Sequence, residues 1–260
     1  MEQAQPPEHI ILWTGEGAED GLVSFVEEKL HISPFQNLPQ DLSGRLVLLA
    51  DREGLALWEG GRALRGDFSR LLPRLVPNNL NHELLIRAAR FRKATGPLTA
   101  VDATAGLGED AFLLAGAGFS VSLYERDPVI ALLLWDALRR GRACPDTAPV
   151  LERMELHMAD SVAALPRLAL SPDLVLLDPM FPQRQKSGLI KKKFQLLHLL
   201  EQPCQDEEAL LEAALACSPR KIVIKRPAKG PCLAGRKPSY SLRGGSIRYD
   251  CLICPGREGP

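Results

Sequence analysis

From Leu98 onward the chain alternates short apolar segments with longer segments of helical spacing, and few folds accommodate that alternation. LTAVDAT reads as a strand, EDAFLLAGAG as a helix, SVSLYER as a strand, and DPVIALLLWDALRRG as a helix with Pro128 in its first turn. LERMELHMADS ends a third strand at Asp160-Ser161, DLVLLDP is a fourth, EEALLEAALACS is a helix and KIVIKRP a fifth strand. SYSLRGGSIRYDCLIC closes as a hairpin about Gly244 and Gly245. Strands joined through helices pair in parallel, since only a crossover returns the chain to the same end of a sheet. The expected class is therefore α/β: a doubly wound, mostly parallel sheet finished by an antiparallel C-terminal hairpin.

The segment before this pattern reads as a small α/β unit of its own. HIILW has strand character, DGLVSFVEEKL places apolar residues at helical spacing, and RLVLLADREGLALWEGG predicts a hairpin turning at Asp51 to Gly54. Residues 62 to 81 are arginine-rich and end in PNNLN, where Asn81 is expected to cap the helix HELLIRAARFRKA. This divides the chain into an N-terminal unit over residues 1–75 and a main domain over 76–260.

Bulk properties narrow the functional classes. The 260 residues carry 32 Lys/Arg against 32 Asp/Glu, so a protein that coats nucleic acid non-specifically is disfavoured. The charges are unevenly spread: residues 62 to 93 hold eight Lys/Arg against two Asp/Glu, and residues 178 to 260 hold fifteen against eight. Two basic patches facing a phosphate backbone would account for that, as would scattered solvated faces. No apolar run approaches the roughly 18 residues of a membrane span, and MEQAQPPEHI lacks the features of a secretory leader, so a cytoplasmic protein is expected. The six cysteines are irregularly spaced, and the Cys251/Cys254 pair has no second ligand pair for zinc. No metal is expected.

In doubly wound sheets ligands sit beyond the carboxyl ends of the strands, at the point where strand order reverses. The first main-domain strand runs into VDATAGLGEDA, where Gly106 and Gly108 allow a tight turn and close backbone approach, and the following helix offers its N-terminal amides. Glu125 ends the second strand, 23 residues after Asp102, a spacing at which a carboxylate accepts hydrogen bonds from ribose hydroxyls. Asp160 and Ser161 are placed to meet an adenine amine. Together these favour an adenosine-type cofactor. A dinucleotide and S-adenosylmethionine both use such a turn, but Asp102 just before it would repel a pyrophosphate and suits a cationic ligand. The spacing D-x-T-x-G-x-G also resembles the first motif of class I methyltransferases.

LVLLDPMFPQRQKSG, residues 174 to 188, carries the remaining chemistry. Asp178-Pro179-Met180-Phe181 resembles the (Asp/Asn/Ser)-Pro-Pro-(Tyr/Phe) motif of enzymes that methylate exocyclic amines of bases. Asp178 and the Pro179 carbonyl can each accept one N–H of such an amine, localising its lone pair and aiming it in line with a methyl donor. Phe181 would stack on a base turned out of its helix. Arg184, Lys186, Lys191 and Lys192 leave directly from this loop, and Lys225 and Arg226 end the fifth strand beside it. These six cations are expected to hold phosphates, although LIKKKFQLLHLL reads equally well as an amphipathic helix with a solvated lysine face.

DATAGLG, YERDPVIALLL, LLDPMFPQRQKS and IVIKRP, in this order and spacing, are similar to the small-subunit ribosomal RNA guanine-N2 methyltransferase family, RsmJ. The resemblance covers about residues 98 to 253. It implies a seven-stranded Rossmann-like sheet, S-adenosylmethionine as cofactor, and methylation of a guanosine N2 near the 3′ end of 16S rRNA, with that rRNA or the small subunit as partner. The family's cofactor contacts fall on Glu109-Asp110, Glu125-Arg126, Asp160-Ser161 and Asp178. Two departures stand out: Glu109 replaces the family's usual arginine, and PNNLN stands where the family has a glycine-rich segment. Adenine-N6 methylation, a dinucleotide-dependent oxidoreductase and a non-catalytic RNA-binding module are the competing readings.

Overall fold

The computed structural model describes residues 10–37, 42, 45–59, 61–92, 96–179 and 206–254. The first sheet is built from β1 (Ile10–Thr14), β2 (Pro34–Phe35), β3 (Leu46–Asp51), β4 (Gly54–Glu59) and β5 (Arg62–Leu64), in the spatial order β2-β1-β3-β4-β5. β1 runs parallel to β2 and β3, while β3, β4 and β5 form an antiparallel meander. Between β1 and β2 lies α1 (Asp20–Leu30), whose buried stripe Leu22, Val26, Leu30 recurs every four residues, the spacing of one helix face. The β3–β4 turn falls where the sequence places it. Asp51 accepts the Glu53 amide at 2.8 Å, and Gly54 takes φ +101°.

Between the two sheets the chain forms α2 (Leu72–Leu75), α3 (Pro77–His82) and α4 (Leu84–Ala89). The expected single helix capped by Asn81 is not observed. Asn81 sits inside the last turn of α3, and its amide oxygen accepts from Arg90 at 2.7 Å. Val76 is extended because proline follows it. Glu83 is also extended, its carboxylate gripped by Arg74 at 2.7 and 2.8 Å, so an ion pair holds the bend. α4 stops early for a tertiary reason: the buried Lys221 ammonium takes the carbonyls of Ala88 (2.9 Å) and Arg90 (2.6 Å). A cation at a helix C-terminus satisfies the carbonyls left without intrahelical donors.

The second sheet contains β6 (Leu98–Asp102), β7 (Phe119–Tyr124), β8 (Met154–His157), β9 (Leu174–Leu177), β10 (Lys221–Pro227), β11 (Tyr240–Arg243) and β12 (Ile247–Ile253). Their order is β11-β12-β10-β9-β6-β7-β8. The five strands from β10 to β8 are parallel, and β12 and β11 add antiparallel at one edge, as the alternation predicts. β6 is flanked by β7 on one side and β9 on the other, so strand order reverses there. The connecting helices are α5 (Glu109–Gly116), α6 (Pro128–Arg142), α7 (Ala148–Leu151), α8 (Ser161–Ala164) and α9 (Glu207–Ala216). Asp127 caps α6 by accepting the amides of Val129 (2.9 Å) and Ile130 (3.0 Å). No described helix is long and apolar enough to cross a membrane.

α6 explains why its sequence is apolar nearly all round. Leu134, Ala137 and Leu138 join the core under α5, while Val129, Ile130, Leu132 and Leu133 pack with Leu12, Leu48 and Leu57 of the first sheet. Each leucine so buried contributes about 1.5–3 kcal/mol. The remaining core lies on the other face of the second sheet, where α9 covers Val175, Leu177, Ile222 and Ile224.

One polar group is set into this contact. Asp136 of α6 is fully buried and accepts the Leu55 amide at 2.8 Å, Arg140 Nε at 2.7 Å and Arg139 Nη2 at 3.0 Å. Arg140 in turn donates to the Gly66 carbonyl at 2.7 Å. A Cβ on Gly54 would lie 2.5 Å from Asp136 Oδ2, so the turn residue must be glycine for the carboxylate to reach the hairpin. Asp136→Ala leaves the Leu55 amide without an acceptor and is expected to destabilise the protein by about 3 kcal/mol. The shift of the urea midpoint at constant slope measures it; a shift under a third of that size would assign the joint to packing alone.

Candidate active site at the strand ends

The chain leaves β6 at Asp102 and turns through Ala103-Thr104-Ala105-Gly106-Leu107-Gly108 into α5. The turn is pinned to both neighbouring strands: Ala103 N donates to Leu176 O (3.0 Å) and Ala105 N to Tyr124 O (3.0 Å). Gly106 and Gly108 take φ +54° and +75°, values that side chains resist. Gly108 is doubly constrained, since a Cβ there would lie 2.8 Å from Leu134 Cδ1.

Glu125 follows β7 directly and is 8% exposed. Its Oε2 accepts the Gly106 amide at 2.8 Å and its Oε1 the Asp127 amide at 2.9 Å, so the carboxylate is locked to the glycine turn. Burial pushes its pKa up to about 7 against the pull of those amides. Arg126, beside it, is exposed. Asp102 is 2% exposed and accepts the Thr104 amide at 3.2 Å. Burial first, then the Asp110 charge, push it up to about 8.

Thr104 also joins the turn to the next strand. Its Oγ1 accepts the Asp178 amide at 2.7 Å, placing the start of the Asp-Pro motif beside the glycine turn. Pro179 is buried behind it. Asp178 Oδ2 lies 2.7 Å from Lys225 Nζ, and the same ammonium lies 2.8 Å from Asp110 Oδ2 in the first turn of α5. Burial raises the Asp178 pKa and Lys225 opposes the rise; the two carboxylates hold Lys225 firmly protonated. Tyr249 of β12 stands opposite Lys225 in the antiparallel ladder, 3% exposed, and burial raises its hydroxyl well above the usual phenol range.

Several expectations change. Asp160 and Ser161 do not end a strand: β8 stops at His157, and Asp160 caps α8 by accepting the Val162 amide at 2.9 Å, with Ser161 buried behind it. His157 stacks on Tyr124 with centroids 4.7 Å apart. Arg226 is only 1% exposed, bonded to Glu207 Oε1 (2.9 Å) and the Pro231 carbonyl (2.8 Å), so it is an internal cation with no face for phosphate. Lys225, expected beside it on the RNA face, points to the opposite side of the sheet and into the carboxylates. Phe181, Arg184, Lys186, Lys191 and Lys192 lie outside the described residues, as does Met180. Sequence reasoning overlooked Thr104, whose signal was present in D-x-T-x-G, and Tyr249, which has no local signal and needs the β10–β12 register.

The donor set decides what this site can hold. Asp110 and Asp178 share the Lys225 ammonium, buried Asp102 lies close enough to feel all three charges, and Glu125 presents a fixed carboxylate next door. Such a set repels a pyrophosphate. It fits a ligand with ribose hydroxyls and net positive charge, as S-adenosylmethionine has, because a cation would restore the ionised form of Asp102. Among the described residues no group of three or more His, Cys, Asp or Glu is arranged to hold a metal ion.

Comparison with known proteins agrees with this geometry. A family model described as "Putative SAM-dependent methyltransferase" matches residues 37–254. The chain is 40% identical over 242 residues to the ribosomal RNA small subunit methyltransferase J of Dechloromonas aromatica, covering 90% of this chain and 98% of that protein. It is 40% identical over 225 residues to the protein of the same name in Marinobacter nauticus, covering 83% and 79%. The crystal structure of a SAM-dependent methyltransferase from Neisseria gonorrhoeae superimposes with a TM-score of 0.73 at 28% identity, over 95% of this chain and 97% of that one.

The Asp102 shift has consequences for both stability and binding. In the folded, ligand-free protein its proton is held up to about pH 8, whereas the unfolded chain releases it near 3.8. Between those values the folded state binds the extra proton, so this residue's contribution to stability is lost as pH rises. Asp102→Asn, neutral throughout, is therefore expected to raise the Tm of the ligand-free protein at pH 8 by more than at pH 5, by about 2 °C or more. Wild-type affinity for S-adenosylmethionine should fall below pH 8 by at most about tenfold per unit from this residue, and that dependence should vanish in the variant. Calorimetric titration and thermal melts across pH 5–8.5 read both. Equal Tm gains at the two pH values would place the carboxylate in water.

Proposed function

The chain belongs to the ribosomal RNA small subunit methyltransferase J family, whose members depend on S-adenosylmethionine, and from that premise we propose that it methylates the exocyclic N2 amine of a guanosine in 16S rRNA. The observation that carries the chemistry is Asp178 at the end of β9, hydrogen-bonded through its amide to the glycine turn and through its carboxylate to Lys225. An rRNA substrate places the protein in the cytoplasm.

The cofactor, when bound, supplies an electrophilic methyl group on a sulfonium. Every other task belongs to the chain. Glu125, fixed by two backbone amides, holds ribose hydroxyls, while Asp102, Asp110 and the nearby glycine turn of Gly106 and Gly108 take the cationic end. Glu109, Arg126, Asp160 and Ser161 complete the cofactor contacts, the last two on the adenine side. The guanine N2 amine is a poor nucleophile because its lone pair is delocalised into the ring. Asp178 and the Pro179 carbonyl accept its two N–H groups, which turns the lone pair toward the methyl, and this alignment supplies most of the acceleration. The carboxylate is a weak base, so the amine proton leaves after the methyl has moved. Phe181 stacks on the extruded base, and Arg184, Lys186, Lys191 and Lys192 hold flanking phosphates.

Nucleoside mass mapping of 16S rRNA from cells lacking the protein tests target and chemistry together: one N2-methylguanosine should disappear and return with the wild-type gene. With purified protein and saturating labelled cofactor, Asp178→Ala should lower kcat by about 100-fold or more. Appearance of N6-methyladenosine as product would redirect the assignment to adenine, and undiminished turnover by Asp178→Ala would remove this residue from the chemistry.

A further inference from the structure

We propose that Lys225 is a positioning residue for methyl transfer: its ammonium fixes Asp178 as an ionised hydrogen-bond acceptor for the substrate amine. The inference rests on the reading of Asp178 given above and deepens it. β10 places Lys225 and Arg226 on opposite faces of the sheet, as strand alternation requires. Arg226 goes to Glu207 of α9, while Lys225 reaches past the end of β9 to Asp178 at 2.7 Å and Asp110 at 2.8 Å. Both distances are those of charge-assisted hydrogen bonds, and the side chain is only about a quarter exposed. Two of the three ammonium N–H groups are thus spent inside the site.

The surroundings make this cation decisive. Burial, and after it the like charge of Asp110 on α5, push Asp178 toward the protonated carboxyl, and Lys225 opposes both. Among the described residues, Tyr249 from β12 brings no positive charge, and Arg74 of α2, a further cation nearby, is engaged by Glu83. A protonated Asp178 would offer a donor where the amine needs an acceptor. With Oδ2 held by Lys225, the plane of the carboxylate is set and Oδ1 is the oxygen assigned to the amine. Lys225 therefore decides both the charge state and the orientation of the group that aligns the nucleophile.

The competing role, an RNA phosphate contact, makes opposite kinetic predictions. Lys225→Met is expected to lower kcat at pH 7 by at least about tenfold and to move the acid limb of the kcat–pH profile upward by about one unit. KM for 16S rRNA and its salt dependence should stay within about twofold of wild type. Lys225→Arg, which keeps the charge, should return the acid limb to near its wild-type position even if kcat recovers only in part. Asp110→Asn removes a like charge and should move the limb the other way, to lower pH, which keeps the test open if Lys225→Met does not fold. A raised KM for RNA with a salt slope about one unit shallower, an unchanged kcat and an unmoved limb would overturn the proposal in favour of a phosphate contact. An acid limb unmoved in both Lys225→Met and Asp110→Asn would overturn it too. Absence of any methyl transfer by the wild-type protein would instead overturn the functional reading on which it stands.

Discussion

Carboxylates that converge out of water repel one another, and the active end of this protein is organised around that fact. Asp102, Asp110, Glu125 and Asp178 come from the ends of three strands and the start of one helix. Two are relieved by backbone amides: Glu125 by Gly106 and Asp127, Asp102 by Thr104. The other two share the Lys225 ammonium. The result is a site held short of electrostatic balance, with Asp102 and Glu125 shifted toward neutral pH. On the proposed function, a cationic cofactor would complete the balance, and the energetic deficit of the ligand-free fold would become binding selectivity. Strain of this kind at functional positions, offset by a well-packed frame, is a common division of labour in enzymes.

That frame depends on α6. A helix buried on one face only would leave the first sheet as an appendage; this one carries leucines on both sides and fills the space between two sheets. Asp136 adds direction to a contact that apolar packing alone leaves free to slide, because its two oxygens meet the hairpin amide and two arginines at defined distances. The same helix supplies Leu134 against Gly108, so the joint between the sheets and the shape of the cofactor turn are set by one element.

The pattern of the fold was legible because it is periodic. Parallel strands buried on both faces read as LVLL or IVI, the connecting helices carry 3.6-residue spacing, and Asp127-Pro128 announces a helix start. Glu125 and Asp178 were legible as strand-end carboxylates for the same reason. What failed had non-local causes. The bend at Glu83 needs Arg74, nine residues away, and the end of α4 needs Lys221, more than 130 residues away. Asp160 looked like a strand end because its segment is polar after an apolar run, and only the pairing of β7 with β8 shows the strand stopping at His157.

Arg226 and Lys225 draw the line most clearly. From sequence they are adjacent cations at a strand end, indistinguishable in charge and in neighbours. Their residue types, their place on β10 and the alternation of its faces were determined by the chain itself, as were the carboxylates and glycines of the site. Which cation is sealed against α9 and which enters the active site was decided by tertiary structure, because a strand's two faces acquire different environments only when α9 covers one and α5 the other. Local sequence sets direction along the chain; what waits in that direction is a property of the packed whole.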